Sequence, residues 1–148
     1  MNVTLADSSS ISKLANLFNQ YRIFYGEETD IQAATSFLKS RFNNKDSVII
    51  VAHEKSQMSG FIQLYPSFSS IGMQKIWVLN DLFVDSGFRR QNVARNLMNA
   101  AKKYAEETGA LRIDLATQIT NIFAQNLYES MSYTKNESFF HYSLPIKT

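Results

Sequence analysis

The chain has 148 residues, of which 45% are hydrophobic, a length at which roughly two-thirds of the unfolded surface becomes buried, so we expect a single domain, 1–148. It contains no cysteine, which excludes disulfides, thiolate metal sites and a cysteine nucleophile. Lys+Arg 15 against Asp+Glu 13 gives a net charge of only +2, which argues against a dedicated nucleic-acid binder.

The first 44 residues predict a strand followed by two amphipathic helices. Residues 1–6 predict the strand, and residues 7–10 offer N-caps for the first helix. Gly26 ends that helix, and Thr29 or Asp30 caps the second. Apolar residues recur at helical spacing in both, at Ile11, Leu14, Ala15, Phe18, Tyr21 and Phe24 and then at Ile31, Ala34, Phe37, Leu38 and Phe42.

The middle of the chain predicts an antiparallel meander of three strands. Residues 47–53, 60–66 and 75–84 are rich in β-branched and aromatic side chains. The turn-like segment EKSQMS separates the first two strands. Between the second and third, LYPSFSSIGMQK predicts a long polar-aromatic loop, consistent with a substrate lid or a dimer contact.

The last third returns to alternating helix and strand. A long helix begins at Asn92 and stops at Gly109, and it is followed by a strand at 111–116, a helix at 121–131 and an aromatic strand at 133–144. The complete order is β-α-α-β-β-β-α-β-α-β. We therefore predict a mixed α/β (α+β) domain built on a single sheet.

Neither a metal site nor a membrane segment is expected. His53 and His141 are the only histidines, and neither has a metal-ligand spacing. The first ten residues lack the basic and apolar regions of a signal peptide, and no run of about eighteen apolar residues occurs. We expect a cytoplasmic protein that does not enter a membrane.

The loop before the long helix has the features of an anion site. The N-terminus of a helix carries about half a positive charge and unpaired amides, to which Arg89 and Arg90 add two full charges. A diphosphate would use several consecutive amides from Arg90 to Ala94. The alternative is an ordinary opening loop with solvated arginines.

The same loop carries a resemblance to a known family. Arg89-Arg90-Gln91-Asn92-Val93-Ala94 resembles the R/Q-x-x-G-x-G/A motif of the GNAT superfamily of N-acetyltransferases, which also lies between a strand and a long helix. Asn92 stands in place of the first glycine, and asparagine is the non-glycine residue that best tolerates a positive φ. TNIFAQNLYESMSY is similar to the N-x-x-A-x-x-L-Y-E element of the family. NQYRIFYG, LYPSFSS, LNDLFV and FFHYSL resemble the branch of polyamine, D-amino-acid and histone-directed acetyltransferases.

This resemblance implies a splay between the central strands that receives acetyl-CoA. Backbone groups of Leu82 and Val84 would pair with the pantetheine arm, and the arginine loop and helix mouth would hold the pyrophosphate. The implied cofactor-binding residues are Leu82, Phe83, Val84, Arg89, Arg90, Gln91, Asn92, Val93, Ala94, Arg95, Asn121, Ala124 and Tyr128.

Asn121, Gln125 and Tyr128 lie at i, i+4 and i+7 and therefore share one helix face. A helix cap and a packing tyrosine are the structural alternatives. The resemblance implies that Asn121 contacts the cofactor and that Tyr128 is the general acid toward the departing thiolate. Proton transfer from a tyrosine of pKa ~10 to a thiolate whose thiol has a pKa of ~8.5 is uphill by roughly 2 kcal/mol, so hydrogen bonding to developing charge is its expected contribution.

The acceptor amine arrives as an ammonium ion and must lose a proton before it attacks. Without a cysteine the attack is expected to be direct, with a backbone N–H near Phe83 or Val84 holding the carbonyl oxygen. Asp81 is the first candidate for the base. Asn80 precedes it, where polyamine-type relatives often have a second acidic residue.

Further residues are candidates for binding the acceptor. Glu27 and Glu28 are alternatives to Asp81 as base, a substrate-binding pair, or merely solvated loop residues. Tyr25, Asn80 and Asp81 complete the candidate substrate-binding set, and Tyr21, Tyr25 and Tyr65 either line an amine pocket or belong to the core.

The predicted function is therefore acetyl-CoA-dependent transfer of an acetyl group to a primary amine of a small molecule. The resemblance further implies a homodimer that forms through the C-terminal strand. A protein- or tRNA-directed acetyltransferase is one alternative, and it calls for the strongly basic surface that a net charge of +2 does not suggest. A non-catalytic acyl-CoA-binding module is the other alternative, for which Asn92 is the only indication.

Overall fold

A computed structural model describes residues 1–147. The chain divides into two compact units, Met1–Ala116 and Thr117–Thr148, of which the second is described through residue 147. The strands are β1 (Asn2–Leu5), β2 (Val48–Glu54), β3 (Gln57–Ser69), β4 (Gln74–Val84) and β5 (Ile113–Leu115). The helices are α1 (Ile11–Phe24), α2 (Ile31–Asn44), α3 (Val93–Glu107) and α4 (Ile122–Ser130). Among the helices of this described part, none is both long and apolar enough to span a membrane.

The five strands form a single sheet in the order β1-β2-β3-β4-β5. The pairs from β1 to β4 are antiparallel, as expected for a meander, whereas β5 runs parallel to β4 because α3 connects them as a crossover. The predicted mixed α/β class with one sheet is confirmed.

Helices cover both faces of this sheet within Met1–Ala116. Phe61 of β3 belongs to the cluster formed by α1 and α2, which also contains Leu14, Phe18, Leu38, Ile49, Val51 and Phe83. The preceding residue, Gly60, points at Val93 and Leu97 of α3. Because successive residues of a strand face opposite sides, α1 and α2 lie on one face and α3 on the other.

The ends of the helices follow the local signals in the sequence. Asp30 is the N-cap of α2, where its Oδ1 accepts a hydrogen bond of 3.0 Å from the Ala33 amide. Gly26, with φ +93°, follows the end of α1 in a backbone conformation that side chains disfavour. Gly109, with φ +72°, does the same after α3.

The predicted loop between the second and third strands of the meander is wrong. β3 extends to Ser69 and β4 begins at Gln74, so most of the segment forms a long hairpin in which Phe68 pairs with Lys75. The alternation of serine and phenylalanine at 67–69 is in fact the period of a strand. The connection shrinks to a short turn, where the Met73 amide donates to Ser70 O at 3.3 Å.

The predicted last strand, 133–144, is also absent from the structure as described through residue 147. Its aromatic and aliphatic side chains are largely exposed, among them Phe139, Phe140, Tyr142 and Leu144. A strand needs a neighbouring strand to satisfy its backbone N–H and C=O groups. The described part of the unit that begins at Thr117 contains the helix α4 and no strand that could be this neighbour. The sequence pattern indicated a strand face without indicating a partner.

Candidate functional site

β4 has an irregularity where its pairing changes. The register between β3 and β4 shifts between Gln63 and Leu64, which makes Asn80 an extra residue and thus a β-bulge. β5 pairs with β4 only over residues 77–79. Within residues 1–116, the edge of β4 from 80 to 84 that faces away from β3 therefore has no strand beside it. This opening between β4 and β5 is the predicted splay of the central strands.

Asp81 follows the bulge and is only 3% exposed. Its Oδ1 accepts hydrogen bonds from the Tyr21 hydroxyl at 2.9 Å and from Asn80 Nδ2 at 2.8 Å, while its Oδ2 accepts one from Gln63 Nε2. These donors replace the water that the carboxylate loses on burial. A side chain buried to this degree reaches a substrate only through one of its neighbours.

Tyr21 extends from α1 to this carboxylate. Its ring makes edge-on contacts with three aromatic rings, with centroid distances of 5.1 Å to Tyr25, 5.7 Å to Phe61 and 6.0 Å to Phe83. Burial, followed by the charge of Asp81, raises the pKa of Tyr21 well above its ordinary value. The Tyr21 hydroxyl therefore keeps its proton at neutral pH and donates it to Asp81.

The same two causes act on Tyr65 of β3. Burial, with the charge of Asp81 as the second cause, raises the pKa of Tyr65 to about 12. Gln63 and Tyr65 are two residues apart on one strand and so point to the same face of the sheet as Phe61. A group of polar side chains thus lies within the α1/α2 side of the core, beside the bulge.

The arginine loop contains two residues with a positive φ. Arg90 and Asn92 both have φ 63°, and Asn92 is the N-cap of α3, with no hydrogen bond from its side chain to the helix. Asparagine thus occupies the left-handed region that a glycine would favour. The first bond of the helix runs from the Asn96 amide to Asn92 O at 3.0 Å, so the amides of Val93 and Ala94 precede the bonded turns.

Arg89 lies at the end of β4. Its Nε donates to Val84 O at 3.3 Å, and its guanidinium carbon is 5.8 Å from the ring centroids of both Phe24 and Phe83. Arg90 is exposed, as is Gln91. The two predicted arginines therefore both belong to the short segment between the end of β4 and the mouth of α3.

Gly60 allows α3 to approach the sheet at this position. A Cβ atom on Gly60 would lie 2.8 Å from the carbonyl oxygen of Phe83, 3.1 Å from Val93 Cγ1 and 3.2 Å from Leu97 Cδ1. The first contact is with backbone, which cannot rotate away. The absence of a side chain at Gly60 therefore allows Val93 and Leu97, at the start of α3, to pack closely on β3.

We expect Gly60→Ala to lower the free energy of unfolding by roughly 1–3 kcal/mol, because the methyl group overpacks the contact between β3 and α3. Urea unfolding followed by circular dichroism measures the change. Gly87→Ala is the matched control, because its Cβ would meet only Asp85 Oδ1, at 3.3 Å. Equal unfolding midpoints for the two variants would contradict this account.

The unit Thr117–Thr148 contains the other predicted site residues. Asn121 is the N-cap of α4, and its Oδ1 accepts from the Ala124 amide at 3.1 Å. Gln125 Nε2 donates to the carbonyl oxygens of Gln118 and Ile119, at 3.3 and 3.0 Å. The ring centroid of Tyr128 is 6.1 Å from that of Tyr133. Asn121 therefore caps α4, as the structural alternative predicted, whatever further role it has.

The three side chains that donate to Asp81 do not include either of the two predicted glutamates. Both are exposed in the connection between α1 and α2, and Glu27 forms an exposed ion pair of 3.7 Å with Arg22. Tyr25 is half exposed and contacts Tyr21, and Asn80 contacts Asp81. The structure thus brings three predicted substrate-binding residues together, Tyr25, Asn80 and Asp81, around Tyr21.

Gln63 is the residue of this group that the sequence analysis missed. It is fully buried and donates directly to Asp81. The signal was present, because a glutamine in the middle of the apolar strand GFIQLYP is unusual. A buried polar side chain on a strand needs a partner, and that partner is 18 residues away on the next strand.

The model of the acetyltransferase (GNAT) family matches residues 12–133. The chain belongs to this family. Among its relatives, a protein from Bacillus subtilis (strain 168) named "Uncharacterized N-acetyltransferase YhfO" is 44% identical over 146 residues, which cover 99% of this chain and 98% of the relative. The GNAT chain is thus an N-acetyltransferase, and its family uses acetyl-CoA.

Solved structures agree with this membership. A crystal structure of a "probable acetyltransferase" has a TM-score of 0.94 and 39% identity, covering 100% of this chain and 99% of that one. A structure of AAC(6')-Iy in complex with the bisubstrate analog CoA-S-monomethyl-acetylneamine has a TM-score of 0.80 at 16% identity, covering 97% of each chain. The second likeness shows the fold alone.

Proposed function

We propose that this chain transfers the acetyl group of acetyl-CoA directly to a primary amine of a small molecule. The observation that carries the proposal is the buried carboxylate of Asp81 beside the bulge at which β4 and β5 separate. A base near the opening is what an ammonium acceptor requires. Since the chain has no cysteine, its own residues cannot take the acetyl group as a thioester, which supports direct transfer.

The residues at the mouth of α3 fit the diphosphate of such a cofactor. Two positive φ angles, at Arg90 and Asn92, give the concave backbone that favours anions, and the helix begins immediately after them. Gly60 lets this helix end pack closely on β3. The residues proposed to hold the cofactor in this loop are Arg89, Arg90, Gln91, Asn92, Val93, Ala94 and Arg95.

The edge of β4 fits an extended chain. Leu82, Phe83 and Val84 belong to the part of the strand that β5 does not pair, and a free strand edge presents N–H and C=O groups to a ligand. We propose that this edge binds the pantetheine arm and that the Val84 amide faces the carbonyl oxygen. The alternative, the Phe83 amide, faces β3, because the Asp85 amide two residues on donates to Ser59 O across the same pair of strands. When bound, acetyl-CoA supplies an acetyl thioester whose carbonyl carbon is the electrophile.

The remaining roles extend the resemblance to α4 and to the acceptor. We propose that Asn121 and Ala124 contact the cofactor and that the Tyr128 hydroxyl donates toward the departing sulfur. For the acceptor, the contact of Tyr25 with Tyr21 and of Asn80 with Asp81 supports a position beside the bulge. Glu27 and Glu28 remain proposed only as outer contacts of a cationic substrate.

We propose further that 1–148 acts as one GNAT domain, since the family match at 12–133 includes parts of both compact units.

A homodimer is proposed as well. Phe140, Tyr142, Leu144 and Ile146 are at least 81% exposed at alternating positions, a pattern typical of a strand face that a second chain could cover. Light scattering that gives the mass of a monomer would reject the dimer. A cytoplasmic location is proposed because acetyl-CoA is expected there.

The proposed function is tested by calorimetric titration of the protein with acetyl-CoA, followed by a screen of primary amines for release of the free thiol. We expect wild-type binding in the micromolar range and a ~10–100-fold weaker affinity for Arg89→Ala/Arg90→Ala, because charge-assisted contacts to the phosphates are lost. The matched control is Lys102→Ala/Lys103→Ala, which removes the same charge from the exposed side of α3.

Binding that is equally strong in both double variants would reject the arginine loop as the phosphate site. Absence of wild-type binding would reject the use of acetyl-CoA. Binding of acetyl-CoA without turnover of any primary amine would reject the amine acceptor while leaving the cofactor site intact.

A further inference from the structure

We propose that Tyr21 is the residue that takes the proton from the acceptor ammonium, passing its own hydroxyl proton to Asp81. This inference rests on the proposed function, because it needs an amine acceptor at the opening of β4. It assigns a catalytic contact to a tyrosine of α1 that the sequence analysis gave only as a pocket or core residue.

The first argument is accessibility. Asp81 is 3% exposed and already accepts hydrogen bonds from three side chains, so it offers no surface to an incoming amine. Of its three donors, Gln63 is fully buried, whereas Tyr21 is only partly buried. Asn80 is exposed, but its nitrogen only donates and its oxygen carries no proton to pass on, so its amide does not relay a proton to Asp81. Tyr21 is the neighbour of Asp81 that combines access with a hydroxyl, which can accept one proton while it donates another.

The second argument is position. The Tyr21 Oη is 2.9 Å from Asp81 Oδ1 and also 3.5 Å from the carbonyl oxygen of Asn80. Asn80 is the bulged residue directly after the last residue of β4 that pairs with β5. The hydroxyl therefore lies where β4 loses its partner, which is the proposed position of the reacting groups. The aromatic rings of Tyr25 and Phe24, 50% and 59% exposed, lie at the same end of α1 and suit an ammonium ion.

The third argument is the balance of the proton transfer. The hydroxyl of Tyr21 donates to Asp81, so its lone pairs face away from the carboxylate and can accept an N–H of the ammonium. As that N–H bond breaks, an O–H bond forms at Tyr21, and the original O–H proton moves to Asp81 Oδ1. An ammonium and a carboxylate become an amine and a carboxylic acid, and Tyr21 is neutral before and after.

The two protons must move together, because Tyr21 does not form a phenolate at neutral pH. The pKa of Tyr21 is raised by burial and by the charge of Asp81, so the hydroxyl does not lose its proton to solvent at neutral pH. A tyrosine that gives one proton while taking another never carries the negative charge. The carboxylate behind it is the group whose charge changes.

Gln63 keeps its hydrogen bond to Asp81 throughout the proton transfer. Its Nε2 donates to Asp81 Oδ2, whereas its Oε1 is buried and has no hydrogen-bond partner among residues 1–147. The proton that Tyr21 passes on arrives at Oδ1, so Oδ2 stays an acceptor and keeps its hydrogen bond from Gln63. Gln63 therefore holds the carboxyl group of Asp81 in place before and after the transfer.

The test uses Tyr21→Phe, which keeps the ring among its aromatic neighbours and removes only the hydroxyl. The amine screen first supplies a strongly basic acceptor, and its fluorinated analog, which is neutral at neutral pH, serves as the second acceptor. If Tyr21 removes the proton, the variant should lose ~10²–10⁴-fold in kcat on the basic amine. It should lose less than about 10-fold on the neutral amine, since no proton must leave before attack.

Tyr104→Phe is the matched control, because it removes the hydroxyl of a half-buried tyrosine whose ring packs on Trp77, 5.6 Å between centroids. We expect it to leave both rates unchanged. Calorimetry should give the same affinity for acetyl-CoA in wild type and in Tyr21→Phe. Equal losses on the two amines would overturn the inference, because a tyrosine that only shapes the pocket affects both acceptors alike.

The two levels of the proposal fail in different ways. If the wild type binds acetyl-CoA but acetylates no primary amine, the proposed amine acceptor fails, and the role of Tyr21 falls with it. If the wild type acetylates the basic amine and Tyr21→Phe does so at the same rate, the proposed function stands and only the role of Tyr21 is overturned.

Discussion

Asp81→Asn is expected to reduce kcat on a protonated amine by ~10²–10⁴-fold while leaving the fold and cofactor affinity intact, because the substitution removes the proton acceptor without removing its volume. The remaining oxygen can stay at Oδ1, where it accepts from Tyr21 and Asn80. The new NH₂ group would replace Oδ2 and donate to Gln63 Oε1 once that amide has rotated. Hydrogen bonding is therefore preserved and only the charge is lost.

Asp81→Ala provides the contrast for this prediction. It leaves the Tyr21, Gln63 and Asn80 donors without their acceptor, and each buried donor without a partner costs roughly 1–3 kcal/mol. We expect a clear loss of stability in urea unfolding for Asp81→Ala and a small one for Asp81→Asn. Steady-state kinetics of the asparagine variant then isolates the catalytic effect. Wild-type turnover in Asp81→Asn would mean that the carboxylate is purely structural.

The parts of the fold that depend on neighbouring residues in the chain were predictable. The amphipathic period of α1, α2 and α3, the cap at Asp30 and the stop at Gly26 are all set within one or two helical turns. The arginine loop was predictable for the same reason, since Asn92 is suited to the positive φ that it adopts. Prediction of this part of the candidate cofactor site therefore required only a continuous segment of the sequence.

The group around Asp81 could not be predicted in this way. Tyr21 and Asp81 are 60 residues apart, and their hydrogen bond exists because α1 packs across β4 at the bulge. Nothing in the sequence near Asp81 indicates that Asn80 is an extra residue, because the register depends on which residues of β3 lie opposite. The prediction of a strand at 133–144 failed for the related reason that the pairing partner of a strand is not set by its own sequence. The prediction of a long loop between β3 and β4 failed for a different reason, because its pairing is local and the strand period at 67–69 was overlooked.

Tyr128→Phe is the second variant for which we expect a large effect, roughly 10²–10³-fold in kcat, with unchanged affinity for acetyl-CoA. Transfer of the acetyl group leaves negative charge on sulfur, and a hydroxyl aimed at that position stabilises the transition state without contributing to ground-state binding. Outright proton transfer contributes less, because a tyrosine is a weaker acid than the thiol it would produce.

The chain offers a close control for this tyrosine. Tyr133 lies in the same unit, its ring centroid is 6.1 Å from that of Tyr128, and burial raises its pKa. Tyr133→Phe removes a hydroxyl from the same aromatic pair and is expected to leave kcat unchanged. Single-turnover measurements with saturating acetyl-CoA would separate the chemical step from binding. Equal rates in the two variants would remove Tyr128 from the reaction, whereas a loss confined to Tyr128→Phe would assign it to the departing thiolate, because Tyr21 and Asp81 act on the amine alone.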